Sequence, residues 1–384
     1  KDKKNAILNA KLSPGHYQLP QNNKIQVIAF NGLTLQSELK SALLTLNAFA
    51  ELDENTNGFI NMTLPKVNFD NLISGQQTFT STIKVHMNSL HFLEGIYDLG
   101  ELTFNVQNPD GILKAEVDIS GVFQQPQLNG KISLENGKLE LPELGIKINP
   151  AEFTVTSNGK SWDVTGLVKS TDSTSLTLAG RGKISPSLSG ALTCDGNGFL
   201  TINTPEYLVK SSPHISLNFA DNMFSVTGKI LIPEAKITPL SFTNSQKLTG
   251  DAVFTENKEP DPLNLDMNIA LAMGKDVKIN AYGISGNIDG AIQIEQKPKQ
   301  TLNLIGKLNL QNGKYEYYGQ KLKIEKGEVI FLGKQIDNPN IQVRATRKFN
   351  NASAQTMSSN KLLDFSAENL DTTNFGDQTK VGIS

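Results

Sequence analysis

LNLDMNIALAM, residues 263–273, decides how this chain is read. Leu263, Leu265, Met267, Ile269, Leu271 and Met273 take every second position, and Asn264, Asp266, Asn268, Ala270 and Ala272 fill the places between. A helix would scatter these residues around its axis, whereas a strand lines up one set on each face. At about 3.3 Å per residue such a strand runs roughly 36 Å, long for a globular sheet.

The same alternation recurs on both sides of it. Ile132 and Leu134 alternate with Lys131, Ser133 and Glu135; Leu139 and Leu141, then Ile146 and Ile148, follow, and Phe153 and Val155 alternate with Thr154 and Thr156. Downstream, Leu302, Leu304, Leu308 and Leu310 share one parity, interrupted by Ile305 beside Gly306. In GKYEYYGQKLKIEKGEVIFLG (Gly313–Gly333), Leu322 and Ile324, then Val329 and Phe331, lie opposite Lys321, Lys323, Glu325 and Glu328. Asn-Gly pairs beginning at Asn57, Asn136, Asn158 and Asn312 read as tight hairpin turns, because both central positions of such turns favour positive φ. NSLHFLEGIY, residues 88–97, is read as one short helix: Leu90, Leu93 and Ile96 or Tyr97 have helical spacing, and Asn88 or Ser89 can cap it.

An internal echo links GKISLENGK (Gly130–Lys138), GKILIPEAK (Gly228–Lys236) and GKLNLQNGK (Gly306–Lys314). The spacings are unequal, so the echo is one kind of strand pair stacked repeatedly and not a strict solenoid period. From about Phe349 the chain turns polar and loses its β-formers. These features predict one elongated, all-β domain over residues 1–348, then a polar tail over 349–384 leading to a final strand region. If some thirty short strands stack at about 4.8 Å, the length is on the order of 140 Å.

Composition narrows the function. The 384 residues carry a net charge of −2, which removes any electrostatic case for nucleic acid or an anionic membrane surface. A single cysteine, Cys194, cannot build a disulfide framework or a Cys-rich zinc site, and its neighbours Thr193 and Asp195 do not activate it. No apolar run approaches a membrane span. The opening KDKKNAILNA has neither an initiator Met nor a signal pattern, so the chain reads as a piece of a longer protein whose anchor and address lie outside it.

Chemistry-bearing motifs are missing. His86 and His91, five apart, suit neither one helical face nor the usual zinc pairing. DENTNGFI, with Asp53, Asn55, Asn57 and Gly58, imitates the start of a calcium loop, but Leu64 stands where the bidentate acid belongs, and a hairpin tip is the simpler reading. No nucleophile elbow, phosphate loop or dinucleotide fingerprint is present. An enzyme reading has no residues to stand on, and no cofactor or metal is expected. What remains is the face pattern. It describes either two sheets meeting in a dry core or one long sheet curled around an apolar ligand such as lipid acyl chains. Alternation alone does not separate them.

A resemblance bears on that choice. Gly306, Leu308, Leu310, Gly313, Tyr315, Tyr318-Gly319-Gln320, Leu322, Ile324, Gly327, Phe331, Gly333, Asn338-Pro339, Ile341, Val343, Ala345 and Arg347 follow a pattern of the TamB family, AsmA-like proteins of the bacterial envelope. KILIPEAKITP, MGKDVKINAYGISGNIDGAIQI and GKISLENGKLELPELGIKI are similar to its upstream blocks, in the same order. The resemblance covers roughly Thr80 to Arg347. It implies an open, taco-like sheet whose apolar groove is lined by the alternating residues named above, from Ile132 to Phe331. It implies a periplasmic location, an inner-membrane anchor outside this segment, a TamA-like outer-membrane partner, and phospholipid acyl chains as cargo. A second implied role is assembly of outer-membrane proteins and autotransporters, by strand pairing at a sheet edge.

Overall fold

Period-two alternation becomes strand almost wherever it occurs. The computed structural model describes residues 5–21, 24–54, 56–98, 103–170, 174–239, 264–298, 300–317, 319–334, 339–350 and 378–383. The first strands are β1 (Ala6–Leu12), β2 (Gly15–Gln21), β3 (Lys24–Phe30), β4 (Gly32–Lys40), β5 (Leu43–Asp53) and β6 (Thr56–Leu64). A short helix, α1 (Phe69–Ile73), precedes β7 (Thr78–Met87), β8 (Gly95–Asp98), β9 (Thr103–Val122), β10 (Gln125–Leu141) and β11 (Ile146–Gly159). Then come β12 (Ser161–Lys169), β13 (Ser175–Lys183), β14 (Ser189–Gly196), β15 (Phe199–Asn203), β16 (Tyr207–Ala220) and β17 (Met223–Ile237). The last are β18 (Asn264–Ala281), β19 (Ile284–Gln296), β20 (Asn303–Tyr317), β21 (Gln320–Lys334), β22 (Asn340–Asn350) and β23 (Gln378–Ile383).

The registers join these strands into one ladder. It runs from β1 through β4, β5, β6, β7, β9 and β10 to β14 in order. From β14 it passes to β16 and on in order to β23. β8 lies end to end with β7 along β9, and β15 end to end with β14 along β16, so the 21-stranded sheet has 19 ladder positions. β2 and β3 form a separate hairpin that prolongs the β1–β4 pair. At ~4.8 Å per step the ladder extends about 86 Å. That is shorter than the length expected above, because the strands are fewer and longer: β9 has 20 residues and β18 has 18. Neighbours pair antiparallel except β17 and β18, which run parallel, an arrangement that period-two alternation carries no signal for.

The sheet is curled, and bulges curl it. Register shifts interrupt β10 between Leu134 and Leu139, β17 between Ile232 and Glu234, β18 between Ala272 and Lys278, and β21 between Ile324 and Lys326. An extra residue on one strand bends it and increases its twist. The result shows in one apolar cluster, where Leu134 of β10, Ile148 of β11, Val168 of β12, Leu176 of β13, Phe199 of β15 and Leu208 of β16 pack together. In a flat sheet, strands five steps apart would stand ~24 Å from each other.

Bulges also correct the reading of the Asn-Gly pairs. Asn136 (φ 53°) and Asn312 (φ 54°) take positive φ inside β10 and β20, at the bulges, and Asn57 lies within β6. Of the four pairs, Asn158-Gly159 alone leads into a hairpin turn, between β11 and β12. Asn and Gly supply positive φ to a bulge as readily as to a turn, and residue type does not say which. The echo has the same basis: Gly130, Gly228 and Gly306 each open an alternating run that meets a bulge between four and eight residues later. The segment 88–97 contains a single 3₁₀ turn, His91–Leu93, stopped by Gly95 at φ 157°. The α-helix sits instead at α1, where the Asn68 side chain accepts from the Asp70 N–H at 2.8 Å; five residues are too few for a periodic signal. Of the tail, residues 351–377 lie outside the described residues, and β23 pairs onto β22.

Candidate functional site: an apolar trough along the sheet

Residues paired across a ladder point to the same side of the sheet, so the registers can be followed from strand to strand. Ile132 is opposite Val155 and Leu134 opposite Phe153; past the bulge, Leu139 is opposite Ile148 and Leu141 opposite Ile146. Val155 leads to Val164, Gly180, Leu192, Leu217, Val226 and Met267. Leu265, Ile269, Leu271 and Met273 share the face of Met267. Ile269 leads through Ile294 to Leu304, and the face continues over Leu308, Leu310, Val329, Phe331, Leu322 and Ile324. Twenty of the 22 expected residues therefore lie on one side. Leu302 precedes β20, and Leu263 lies outside the described residues.

The face also extends where the sequence reading named nothing. Toward the N-terminus, Ile132 leads to Ala115, Val85, Gly58, Ala50 and Leu33. Alternation is present there too, as in Leu33-Thr34-Leu35, but in shorter runs. Midway, Trp162, Leu178, Phe219 and Phe224 also belong to it, and Trp162 was missed because its strand holds few aliphatics. Two aromatic stacks mark the concavity. Trp162 lies 5.9 Å from Phe219 although two ladder positions intervene, and Phe219 lies 6.4 Å from Phe224. The positions between hold Gly182 and Gly190, and a Cβ on Gly190 would come within 2.2 Å of the indole.

The opposite face is polar and charge-paired. Lys84 meets Glu116 at 2.5 Å, Lys114 meets Glu135 at 2.9 Å, Lys147 meets Glu140 at 2.8 Å, and Lys307 meets Glu328 at 3.2 Å, each between neighbouring strands. The Lys114 hydrogen bond holds Glu135 below the ordinary carboxylate value of 4.5, and Lys307 does the same for Glu328. These pairs are solvated, so each adds little stability. Their main effect is to keep this face wet, and that fixes the other as the face that curls inward.

Side chains on the inner face are neither dry nor free. Among the 21 expected residues within the described segments, Ile146, Ile148, Ile269 and Ile324 are buried, Ile132 is exposed, and the remainder are half-buried. A second sheet packed on top would have buried them all. The two sides of the trough meet where β12 and β13 end short: Phe199 and Leu200 pack against Ile146 and Ile148, and the Asn203 N–H donates to the Leu144 carbonyl at 2.7 Å. Two other clefts, at the bulges near Asp276–Lys278 and near Lys138–Lys147, are lined largely by charged and amide side chains. Cys194 faces the trough between Leu178 and Ile215, and burial, with Asp195 beside it, pushes its thiol upward in pKa, toward inertness. The calcium-like stretch is the β5–β6 turn, where Asp53 pairs with Thr56, a connection too short for a coordinating loop. No helix among the described residues is long and apolar enough to cross a membrane.

Comparison with known proteins adds two findings. A family model for the TamB C-terminal domain matches residues 163–384. The chain is 24% identical over 308 residues to the translocation and assembly module subunit TamB of Haemophilus influenzae, an alignment covering 72% of this chain and 23% of that protein. The chain thus spans about a quarter of the length of that relative.

Proposed function

The chain belongs to the TamB family, and from that premise we propose that it is a section of a periplasmic conduit that carries phospholipid between the two membranes of a Gram-negative envelope. The observation that carries this reading is the single apolar face, continuous from β4 to β21 and covered by no second layer among the described residues. Each methylene removed from water is worth about 0.8 kcal/mol, so a sixteen-carbon tail exposed in transit costs on the order of 12 kcal/mol. A continuous trough removes most of that barrier at every step. It needs no catalytic residue, because nothing is bonded or cleaved. The charge-paired outer face keeps the section in water while the inner face holds tails. On this reading an inner-membrane anchor lies outside the segment and a TamA-like protein receives it at the outer membrane.

A second reading has its own observation. β1 pairs with β4 on one side and with no other strand among the described residues, which leaves seven residues of backbone able to accept a strand. That suits an assembly factor pairing with unfolded outer-membrane strands, as the relative's name suggests for that protein. The two separate by photocrosslinking in cells. Crosslinkers at Leu46, Met267 and Val329 on the inner face are expected to capture phospholipid, and crosslinkers at Asn47, Asn268 and Glu328 on the outer face are not. Protein adducts alone from the inner face would overturn the conduit, and nascent outer-membrane protein captured at β1 would favour assembly.

A further inference from the structure

One rim of the sheet exposes large apolar side chains outside the trough. The β4–β5, β6–β7 and β9–β10 connections lie side by side on it, because the registers set Leu44 opposite Leu64, Thr63 opposite Thr80 and Thr78 opposite Val122. Leu43, Phe69, Ile73 and Phe123 stand on these connections with 43%, 79%, 87% and 39% of their surface exposed. Phe69 and Ile73 are four apart in α1 and so share one face of it, and no residue of that helix is buried. The opposite ends of the same strands differ. The β5–β6 turn runs from Asp53 to Thr56, and Leu90, just after β7, is buried.

The exposure is built in. Gln77 is fully buried beneath the helix, where its side-chain N–H groups donate to the Pro65 carbonyl at 2.9 Å and the Thr78 carbonyl at 3.0 Å, and its oxygen accepts from the Asn68 N–H at 3.1 Å. Gln124 grips the other end. Its side chain donates to the Ser74 carbonyl at 2.8 Å, and its backbone N–H to the Gly75 carbonyl at 3.0 Å. The Val67 N–H donates to the Ala42 carbonyl at 2.7 Å and ties the loop to the β4–β5 turn. Polar groups thus fasten the loop from below while its largest apolar side chains stay outside, the reverse of the ordinary partition.

Size and charge select the occupant. The four side chains offer on the order of 400 Å² of apolar surface, about half of the ~800 Å² that each partner brings to a stable protein interface. A bilayer sets no such minimum, because each large apolar side chain that enters the boundary between headgroups and acyl chains adds to binding by its own area. The surroundings match that boundary. Lys40 and Lys66 are exposed at the two connections that the Val67 hydrogen bond joins. A lysine stem rests on apolar surface while its charge reaches the phosphate level. Against them α1 carries one acid, Asp70.

We propose that α1 is a knob that seats this rim on a lipid bilayer, with Phe69 and Ile73 below the phosphates and Lys40 and Lys66 among them. The proposal does not depend on the conduit reading. Flotation of the full chain with vesicles of phosphatidylethanolamine and phosphatidylglycerol tests it. The chain should float, and Phe69→Ser with Ile73→Ser should raise the lipid concentration at half-binding roughly tenfold or more. Both side chains are exposed, so that pair should leave the melting temperature and lipid capture by a crosslinker at Met267 unchanged. Met267→Asp with Val329→Asp, which spoils the trough, should leave flotation unchanged. Phe69→Trp in a Trp162→Phe chain should float and be quenched by vesicles with brominated tails. Flotation that survives the serine pair, or that is lost with the trough pair instead, overturns the knob. A parent chain that stays free of vesicles overturns it too, and if that chain dimerises and the serine pair abolishes the dimer, the knob belongs to a second copy. Capture at Met267 in either case leaves the conduit standing.

Discussion

Gly166→Ala offers a stringent test of the inward curl. Gly166 stands opposite Phe153 on the inner face. A Cβ placed there would lie 2.5 and 2.7 Å from two atoms of the Phe153 ring and 3.3 Å from the Glu152 carbonyl oxygen. The ring cannot simply swing aside, because it packs against the cluster around Ile148 and Phe199. Overpacking of this kind costs about 1–3 kcal/mol. Inside a strand, alanine is otherwise better than glycine by about 0.5–1 kcal/mol, since it loses less backbone freedom on folding. The sign should therefore depend on Phe153. In the parent chain Gly166→Ala destabilises; in a Phe153→Ala background the methyl enters vacated space and is neutral or stabilising, with the Glu152 carbonyl the remaining tight contact. The coupling in this double-mutant cycle should exceed about 1.5 kcal/mol. Urea midpoints of the four proteins, followed by Trp162 emission from the same strand, give the number. Equal effects of Gly166→Ala in both backgrounds would mean that the ring does not lie over the glycine, and the crowded concave face would be wrong at this point.

Met267→Asp places a carboxylate on the half-buried inner face, where it still reaches water, so melting should fall only modestly while lipid capture is lost; Asn268→Asp on the outer face should change neither, and loss of folding by Met267→Asp would reveal a closed core. Asn136→Val should destabilise by about 1–3 kcal/mol and Asn136→Gly should not, because φ is 53° there, with thermal melts as the measure. Asp110, Glu135 and Glu328 are held below their ordinary values by hydrogen bonds from Lys138, Lys114 and Lys307. Depressed carboxylates contribute stability that is complete above their ordinary values of 3.8 and 4.5 and fades as pH falls through the lowered ones. Urea midpoints should accordingly drop below about pH 4, and less steeply in 1 M salt, where screening acts over ~3 Å.

How much of this was legible beforehand follows from what each residue pattern encodes. Period-two alternation fixes the face of a residue within its own regular run, so Leu265 to Met273, Leu322 with Ile324, and Val329 with Phe331 were each grouped on one side from spacing alone. Joining those strands into a single face needed the registers, because a bulge reverses parity without changing composition. Leu134 and Leu139 share the inner face although they are five apart, and Gly137 between them makes that so. The Asn-Gly pairs misled for the same reason. The lone tryptophan carried no face information, and the tip beside it, Ile184 to Leu188, is held there by a backbone hydrogen bond from Ile184 to Lys160 that no local pattern signals. The parallel β17–β18 pair was equally silent, since strand direction leaves no trace in alternation.

The central claim is that the inner face holds lipid, and native mass spectrometry of the chain purified from a Gram-negative host in mild detergent tests it most directly. The account predicts bound phospholipid that survives transfer to the gas phase, is released at raised collision energy, and is absent from chains carrying both Met267→Asp and Val329→Asp. A folded chain that emerges free of lipid, or one whose bound lipid is untouched by those two substitutions, would contradict it.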